Sequence, residues 1–550
     1  MREGFDPRRL VRTVGTMAAL AAVALLALGW WATAVSTSMA RIAAMQPVES
    51  YAFAVYHQIV HNLAINGIFE QTIHQGYDDT WTWSGHRAPA LFTTAMLYRL
   101  DGGAFGLARV QILQVLSGVL PAALLGRRAV DGHIGGVVLG AGLYLLTPAV
   151  LAMSLQDYQD LVLAVPFLLF LAAALRAEHW AWVLPGVAFA LLPREETVAL
   201  VGAMAVVVVP WGRDGAGRRI VRWRRWGLNV LLAGGVAALY AGVVQVAFPA
   251  TETAYRMPLA SAVGGMGGDQ GVIFLDGWPF VQRFYRDLLL PSGGFGLLAP
   301  LVALPGAALT LFHMAIPGGH GIDRSWSGHC HHLAPAVPFL VLASIDGAGR
   351  ILRLLGRAPG GPWVRRSLVA GAALALAAWT ADGANTFAAR QNLRLTMRPL
   401  NPTWVHPAWG LVAGLPPDAI PAVPKDLAPT VADRRTAYTI DGSLGNKAPD
   451  AGLGAATHAL LDTRQDGIEG RVLGMPGVEL LGADGPFRLY SWTPGAVDTT
   501  AAASRRVKPR KARPWLGTHK RRDDIPGVPP FESGKVPQGS PPPPSLRLPW

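Results

Sequence analysis

Apolar stretches without charged residues recur along the first two thirds of the chain, and short polar segments separate them. A helix that crosses a membrane needs about 20 predominantly apolar residues, and the longest stretches meet that length. The first begins at Thr13 and is longer than the apolar region of a typical signal peptide, so we interpret it as a retained membrane anchor. Further spans are predicted at residues 106–125, 134–153, 161–175, 182–192, 197–211, 228–248, 295–316, 333–345 and 367–387.

Several of these spans are short or interrupted. Residues 182–192 and 197–211 are each too short to cross comfortably, and the charged tetrad PREE at 193–196 lies between them. This pattern predicts a helical hairpin with a polar apex. Two prolines and a glycine break the stretch 295–316, which therefore either crosses once or dips into the membrane and returns.

The pattern changes after residue 387. Residues 400–492 contain short β-type runs, among them TAYTI, THALLD, VELL and FRLYSW, and the Asp484-Gly485 pair between the last two favours a hairpin turn. These runs predict a small α/β domain over residues 388–496. Residues 497–550 are basic and proline-rich, a composition that cannot bury enough apolar surface to fold, so we expect a disordered tail.

The predicted fold class is therefore an α-helical polytopic membrane protein. It has about 9–11 membrane helices within residues 1–387, a small C-terminal α/β extramembrane domain and a disordered tail. The composition agrees, because 51% hydrophobic and only 15% charged residues among 550 are difficult to accommodate in a water-soluble protein.

Basic residues, which give the chain a net charge of +13, cluster between the predicted spans. Such clusters mark cytoplasmic loops, so the N-terminus is expected inside. The segment RRIVRWRRW would also suit nucleic acid, but because apolar spans flank it we favour contact with anionic membrane lipids and expect no nucleic acid partner. The segments expected on the outer face are residues 36–88, 154–160, 193–196, 249–293 and the region after 387.

The long first outer loop holds most of the residues that could take part in catalysis or in binding. A carboxylate at a membrane surface can act as a general base toward a hydroxyl, and nearby arginine or histidine can hold a phosphate. The alternative is that these are ordinary solvated loop residues. The candidates are Glu49, Tyr51, His57, His61, Glu70, His74, Asp78, Asp79, His86 and Arg87.

Further candidates stand at the ends of later spans. Asp157 and Asp160 stand at the outer end of one span and Glu195 at another, where carboxylates are costly and commonly functional, and we predict that they bind substrate. The alternative is a structural ion pair with Arg87 or Arg194. In GHCHHLAP, His331 and its neighbours would suit a metal or a phosphate, but no matching carboxylate is fixed by spacing. The chain has no Walker-type, Gly-x-Gly-x-x-Gly or His-Glu-x-x-His motif.

The order of several weak motifs carries a resemblance. Glu49-Ser50-Tyr51, LAINGIF, HRAPALFTTAMLYRL and the Arg127-Arg128 turn resemble the opening of the GT-C glycosyltransferases. GIFEQ, GHRAPALF, LLPREETVAL, HHLAPAVPFL and VADRRTAYT resemble, more closely, the recurrent segments of a bacterial family of predicted membrane proteins of unknown function within that superfamily. The resemblance covers residues 49–465 and leaves the tail unmatched.

The resemblance implies an inner-membrane enzyme that takes a sugar from a polyprenyl-phosphate donor and passes it to an envelope lipid, glycan or protein. Glu49 or Glu70 would be the base, and His86 and Arg87 would lie near the donor phosphate. Glu195 and His331 would complete the cavity, with a divalent metal ion as a possible cofactor. Glu49 stands where the superfamily usually carries Asp, which leaves open which carboxylate acts.

Two other functions fit the same sequence. A transporter or lipid flippase also needs broken spans and intramembrane carboxylates, although no clear internal repeat supports one. A non-catalytic membrane scaffold would use the outer domain and the tail to bind envelope partners, and its first-loop acids would be free to change.

Overall fold

The protein is described by a computed structural model. It describes residues 7–45, 50–69, 71–73, 88–155, 157–177, 180–195, 197–213, 219–247, 294–315, 334–356, 405–440, 453, 455–464 and 468–493.

Most of the described chain is helical, as the apolar pattern predicts. A π-helical turn, Asn62–Asn66, follows the helix that ends at His61, and 3-10 turns at Asp160–Leu163 and Phe295–Leu298 precede the helices that begin at Ala164 and Pro300. The helices before the C-terminal domain are α1 Pro7–Ala43, α2 Ser50–His61, α3 Ala90–Tyr98, α4 Gly103–Leu116, α5 Val119–Ala129, α6 Gly135–Leu145, α7 Pro148–Leu155, α8 Ala164–Arg176, α9 Val183–Leu191, α10 Thr197–Val207, α11 Trp223–Ala247, α12 Pro300–Ala315 and α13 Val337–Leu355.

Within the described residues, four helical stretches are long and apolar enough to cross a membrane, and a bent pair, α6 with α7, makes a fifth. The shorter apolar helices α9, α10 and α12 pack among them. Leucines on the outer faces of α1 and α11 are exposed, as expected where lipid rather than water surrounds the bundle; Leu25 is 70% and Leu231 74% exposed. The four long stretches are Thr13–Ala43, Gly103–Ala129, Trp223–Val243 and Ala334–Leu355.

Several predicted boundaries shift. The span predicted at 134–153 is broken before Pro148 and bends by 59° there, because proline has no backbone N–H to continue the helical ladder. The span predicted to end at residue 345 continues as helix to Leu355, so that Arg350 and Arg353 are helical. In RRIVRWRRW, Arg219–Val221 pairs with Trp211–Arg213 as the hairpin β1–β2, and α11 begins at Trp223. The span predicted at 367–387 lies outside the described residues.

Glycines allow α5 and α6 to pack closely. A Cβ on Gly140 would lie 2.0 Å from the carbonyl oxygen of Ala122, and one on Gly126 would lie 2.2 Å from that of Gly136. No real side chain fits at such distances, so the close approach of the two helices depends on these glycines.

The C-terminal domain begins, within the described residues, with α14 at Pro407–Ala413. Its strands are β3 Pro421–Val423, β4 Tyr438–Thr439, β5 His458–Asp462, β6 Glu479–Asp484 and β7 Phe487–Ser491, and α15 is Ile468–Leu473. They form a five-stranded sheet of the order β4-β3-β5-β7-β6, in which β3 pairs in parallel with β4 and β5, and the other pairs are antiparallel. The predicted hairpin joins β6 to β7, with Gly485 at a φ of 55°.

One face of this sheet shares a hydrophobic core with α2 and α3. Phe53, Ile59 and Leu91 from α2 and α3 pack in the same cluster as Val423 and Leu489 from the sheet. The domain is therefore packed onto these two helices.

The two ends of the bundle differ in chemistry. We call the end where α8 begins and α9 finishes the site end. We call the opposite end the arginine end, because there Arg128 donates to the carbonyl oxygen of Ala173, Arg176 pairs with Asp346, and Arg225 donates to Ala177. Exposed tryptophans surround the arginine end, as at a membrane interface. They are Trp180, Trp182, Trp211 and Trp223.

Candidate functional site

A buried ion pair lies at the centre of the site end. Arg194, which follows α9, donates through Nε to Asp160 Oδ1 at 2.8 Å, and its Nη2 lies 2.7 Å from the same oxygen. The side chain of Asp160 is 0% exposed and that of Arg194 is 4% exposed. The pair joins the start of α8 to the apex of the α9–α10 hairpin, so the structural pairing considered for Asp160 does occur.

Two tyrosines extend the hydrogen bonds of this pair toward α2 and α3. Tyr56 on α2 accepts from Arg194 Nη2 at 2.8 Å and donates to Asp160 Oδ1 at 3.2 Å. Its ring lies 5.7 Å from that of Tyr158, whose hydroxyl is 2.8 Å from Thr94 Oγ1 on α3. Burial raises the pKa of both tyrosines, so they remain neutral donors. Asp160 Oδ2 accepts no hydrogen bond from the described residues.

The segment between α7 and α8 is fixed by polar contacts from two other helices. Gln111 on α4 donates to the carbonyl oxygen of Met153 at 3.1 Å and accepts from the backbone N–H of Gln159 at 2.9 Å. Arg41 at the end of α1 donates to the carbonyl oxygen of Leu155, and the buried Asp157 acts on it electrostatically. Both predicted carboxylates of this segment are thus held in place.

Two histidines of α2 face one tyrosine of α3. His57 Nε2 lies 2.9 Å and His61 Nδ1 3.3 Å from the hydroxyl of Tyr98, which also accepts from the backbone N–H of Gly103 at 2.8 Å. Burial, reinforced by the neighbouring His61, lowers the pKa of His57 to about 3, so this ring is neutral at physiological pH. Burial also lowers the pKa of His61, against the opposing effect of Asp433 from the C-terminal domain.

The structure describes only some of the residues proposed from the sequence. Asp157 and Asp160 are buried at the site end, and Glu195 is half-buried beside Arg194. His57 and His61 lie on α2, and Phe69, the neighbour of Glu70, stacks on Phe92 at 5.7 Å. The candidates outside the described residues are Glu49, Glu70, His74, Asp78, Asp79, His86, Arg87 and His331.

Sequence reasoning missed the polar residues that join these segments. Tyr56, Gln58 and Tyr158 belong to no motif, and Thr94 and Tyr98 lie within HRAPALFTTAMLYRL without any feature that marks them as site residues. A usable signal was the spacing of His57 with His61 and of Gln58 with Asn62, since residues four apart share a helix face.

No group of three or more histidine, cysteine, aspartate or glutamate side chains that could hold a metal ion occurs in the part of the chain that the structure describes. The divalent ion expected from the resemblance therefore stays a prediction. His331, which would suit a metal, lies outside that part.

The sequence matches a family model described as predicted membrane protein (DUF2079) over residues 47–450. This confirms the family expected from its motifs. No curated protein matches the sequence.

The chain is also similar to solved structures of GT-C glycosyltransferases, the superfamily expected from the first-loop motifs. One is ArnT from Cupriavidus metallidurans bound to undecaprenyl phosphate, with 13% identity, a TM-score of 0.48, and 86% of this chain and 97% of that chain covered. Another is the apo oligosaccharyltransferase from Archaeoglobus fulgidus, with 11% identity, a TM-score of 0.40, and coverage of 80% and 70%.

Proposed function

The chain belongs to the DUF2079 family of predicted membrane proteins, and on that premise we propose that it is a glycosyltransferase that uses a polyprenyl-phosphate sugar donor. The acceptor is an envelope lipid, glycan or protein. The site end of the bundle is the active site, and its first outer loop supplies the base.

The convergence of the motif segments is the observation that carries this proposal. Phe69 of GIFEQ stacks on Phe92 of GHRAPALF, and the backbone N–H of Ala90 donates to Leu192 of LLPREETVAL at 2.9 Å. The carbonyl oxygen of Arg434 in VADRRTAYT accepts from Nε2 of Gln58, which is close to GIFEQ in the sequence, at 3.1 Å. Segments that are far apart in the chain meet at one end, as an active site requires.

The level of this end in the membrane suits a lipid-linked donor. Residues 160–177 run from the site end to the arginine end and span roughly 25 Å of helix, close to the ~30 Å thickness of a hydrocarbon core. Asp160 and Arg194 therefore lie near one membrane interface, where the phosphate of a lipid donor is held. The basic opposite end favours the cytoplasm, so the site faces outward in a bacterial inner membrane.

The chemistry that we propose is a single inverting displacement. Glu49 or Glu70 removes the proton of an acceptor hydroxyl, and the acceptor oxygen attacks C1 of the sugar. The bond between C1 and the phosphate oxygen breaks, and polyprenyl phosphate leaves with the electron pair. His86 and Arg87 stabilise the departing phosphate. Asp157, Asp160, Glu195 and His331 line the cavity, and the pair with Arg194 holds Asp160 in a fixed position.

The experiment is sugar transfer in membranes that contain the chain and radiolabelled polyprenyl-phosphate sugars. We compare the native chain with Glu49→Gln and Glu70→Gln, made separately and adjusted to equal amounts. We expect native transfer, and at least a hundredfold loss in the variant that removes the base. The other variant controls for general effects of neutralising a first-loop acid. Absence of transfer from every donor, or indifference to both changes, would contradict an enzyme and favour transport or scaffolding.

A further inference from the structure

Exposed arginines and tryptophans form a surface at the arginine end of the bundle. Trp223 is 65% exposed at the start of α11, and Trp180 is 58% exposed on the 3-10 turn before α9. Arg222 and Arg224 flank Trp223 in the chain and are exposed as well. We call this set the Arg–Trp surface, and its members are Trp180, Trp182, Trp211, Arg222, Trp223 and Arg224.

Two contacts bring the parts of this surface together. The backbone N–H of Arg222 donates to the carbonyl oxygen of Pro210 at 3.1 Å, which joins the start of α11 to the β1–β2 hairpin. Arg225 donates to the carbonyl oxygen of Ala177, three residues before Trp180. The hairpin, the start of α11 and the turn after α8 therefore lie side by side.

The fold holds two of these side chains in place. The ring of Trp223 packs edge-on against that of Trp226, with centroids 5.7 Å apart, and the indole N–H of Trp226 donates to the carbonyl oxygen of Val206 at 3.0 Å. A Cβ on Gly212 would lie 2.2 Å from Nε of Arg222, so the Arg222 side chain lies against the backbone of β1. One ring and one guanidinium of the surface thus have fixed positions.

Arg224 continues the lipid-facing side of α11. Leu228 and Leu231 are 46% and 74% exposed and follow Arg224 by four and seven residues, so the three side chains share one helix face. The apolar stretch Trp223–Val243 has 21 residues and is roughly 31 Å long, close to the thickness of a hydrocarbon core. The first residues of α11 therefore lie at the level of the lipid headgroups, where exposed tryptophans are typical.

The positive charge of this surface is not neutralised by the residues that the structure describes. Among them, neither Arg222 nor Arg224 forms an ion pair, whereas the largely buried Arg176 at the same end pairs with Asp346. A guanidinium can bind a phosphate through two parallel hydrogen bonds. Basic segments beside a membrane span attract anionic lipids, whereas a zwitterionic headgroup carries its own compensating cation.

We propose that the Arg–Trp surface binds the headgroups of anionic phospholipids in the leaflet at the arginine end. Arg222 and Arg224 contact the lipid phosphates, and the tryptophan rings lie at the headgroup level beside them. The surface is at the opposite end of the bundle from the site end. This binding therefore goes beyond the proposed transfer reaction and does not depend on it.

The test measures both affinity and location on the full chain. Native mass spectrometry of the detergent-solubilised chain, titrated with phosphatidylglycerol or phosphatidylcholine, gives the affinity for each lipid. Hydrogen exchange in nanodiscs with and without phosphatidylglycerol shows where that lipid binds. The variants are Arg222→Gln, Arg224→Gln, the double variant and Arg224→Lys. The control is Arg435→Gln, which removes an exposed arginine of the C-terminal domain that forms no ion pair with the described residues.

We expect phosphatidylglycerol to bind more tightly than phosphatidylcholine and to slow exchange within residues 219–226. Each arginine-to-glutamine change should weaken phosphatidylglycerol binding about fivefold, and the double variant about 25-fold, because each basic residue near an anionic surface contributes similarly. Arg224→Lys keeps the charge and should retain most of the affinity, and Arg435→Gln should change nothing. Since the Arg224 side chain makes no hydrogen bond with the described residues, exchange elsewhere should be unchanged in its variants.

Four results would overturn the proposal. Equal affinity for the two lipids, or a phosphatidylglycerol affinity that the double variant keeps, would show that the surface is not an anionic lipid site. Slower exchange confined to the site end would place the lipid there instead. The same slowing by glycerol phosphate in solution would indicate a site for a soluble phosphate ester. Slowing by a short single-stranded oligonucleotide, but not by phosphatidylglycerol, would indicate nucleic acid.

Discussion

At the scale of single residues, the buried pair of Asp160 and Arg194 determines how the site end is built. Taking two charges out of water is unfavourable, and their attraction offsets this only when both partners are present and well bonded. Arg194 bonds Asp160 and also Tyr56, so one guanidinium links α2, the start of α8 and the α9–α10 apex. Removing either partner leaves an unpaired buried charge.

We expect Arg194→Met and Asp160→Leu each to lower the free energy of unfolding by roughly 3–5 kcal/mol, whereas the double variant should recover much of that loss. Thermal unfolding in detergent, measured for all three variants, checks this. Arg464→Met is the control, because the Arg464–Asp462 pair has an arginine that is 67% exposed and should contribute no more than about 1 kcal/mol. Equal effects of Arg194→Met and Arg464→Met would show that the pair is not buried in solution.

The sequence predicted the residues of this pair but could not decide between its two interpretations. Asp160 and Arg194 are 34 positions apart, and nothing in that spacing indicates contact. The structure shows the ion pair, and the substrate-binding role of Asp160 stays a prediction. A double variant that is stable but does not transfer sugar would show that the pair has a role in substrate binding as well as in structure.

At the scale of elements, the close contact of α5 with α6 depends on glycine. Gly140 and Gly142 are two residues apart on α6, yet a Cβ on the first would collide with Ala122 and a Cβ on the second would meet nothing within 4 Å. Helices in lipid associate through close packing of this kind, since the hydrophobic driving force between them is weak.

Gly140→Ala should therefore destabilise the bundle by about 1–3 kcal/mol through overpacking. Gly142→Ala is a matched control and should be neutral or slightly stabilising, because alanine favours helix. Thermal unfolding of the two variants in the same detergent tests this. If Gly140→Ala unfolds no earlier than Gly142→Ala, the helices are farther apart than described.

The sequence predicted the presence of helices and strands better than the residues at which they begin and end. The apolar runs predicted most of the helices, and Asp484-Gly485 predicted the β6–β7 hairpin. Strand β3 was missed because Pro421–Val423 is three residues long and its pairing is with β4 and β5, which follow later in the chain. The continuation of α13 to Leu355 was missed because its arginines indicate a loop by charge, although arginine is a good helix former.

At the scale of the whole molecule, the two ends of the bundle have separate roles in this account. The positive-inside pattern predicted that the acidic segments share one face, and the contacts of Tyr56, Asp160 and Arg194 show that three of these segments meet. The shared core of α2, α3 and the C-terminal sheet could not be predicted, because contacts such as Gln58 with Arg434 join positions 376 residues apart.

Photocrosslinking tests whether a lipid phosphate binds at the site end. A polyprenyl phosphate with a diazirine on the isoprene unit next to the phosphate is illuminated with the chain in nanodiscs, and the labelled peptides are identified by mass spectrometry. If the phosphate binds at the site end, the labels fall within residues 50–73, 88–98, 154–161 and 191–197, and excess unlabelled polyprenyl phosphate reduces the amount of label there. Labels confined to residues 173–182 and 219–229 at the arginine end, or labels that do not respond to competition, would contradict it.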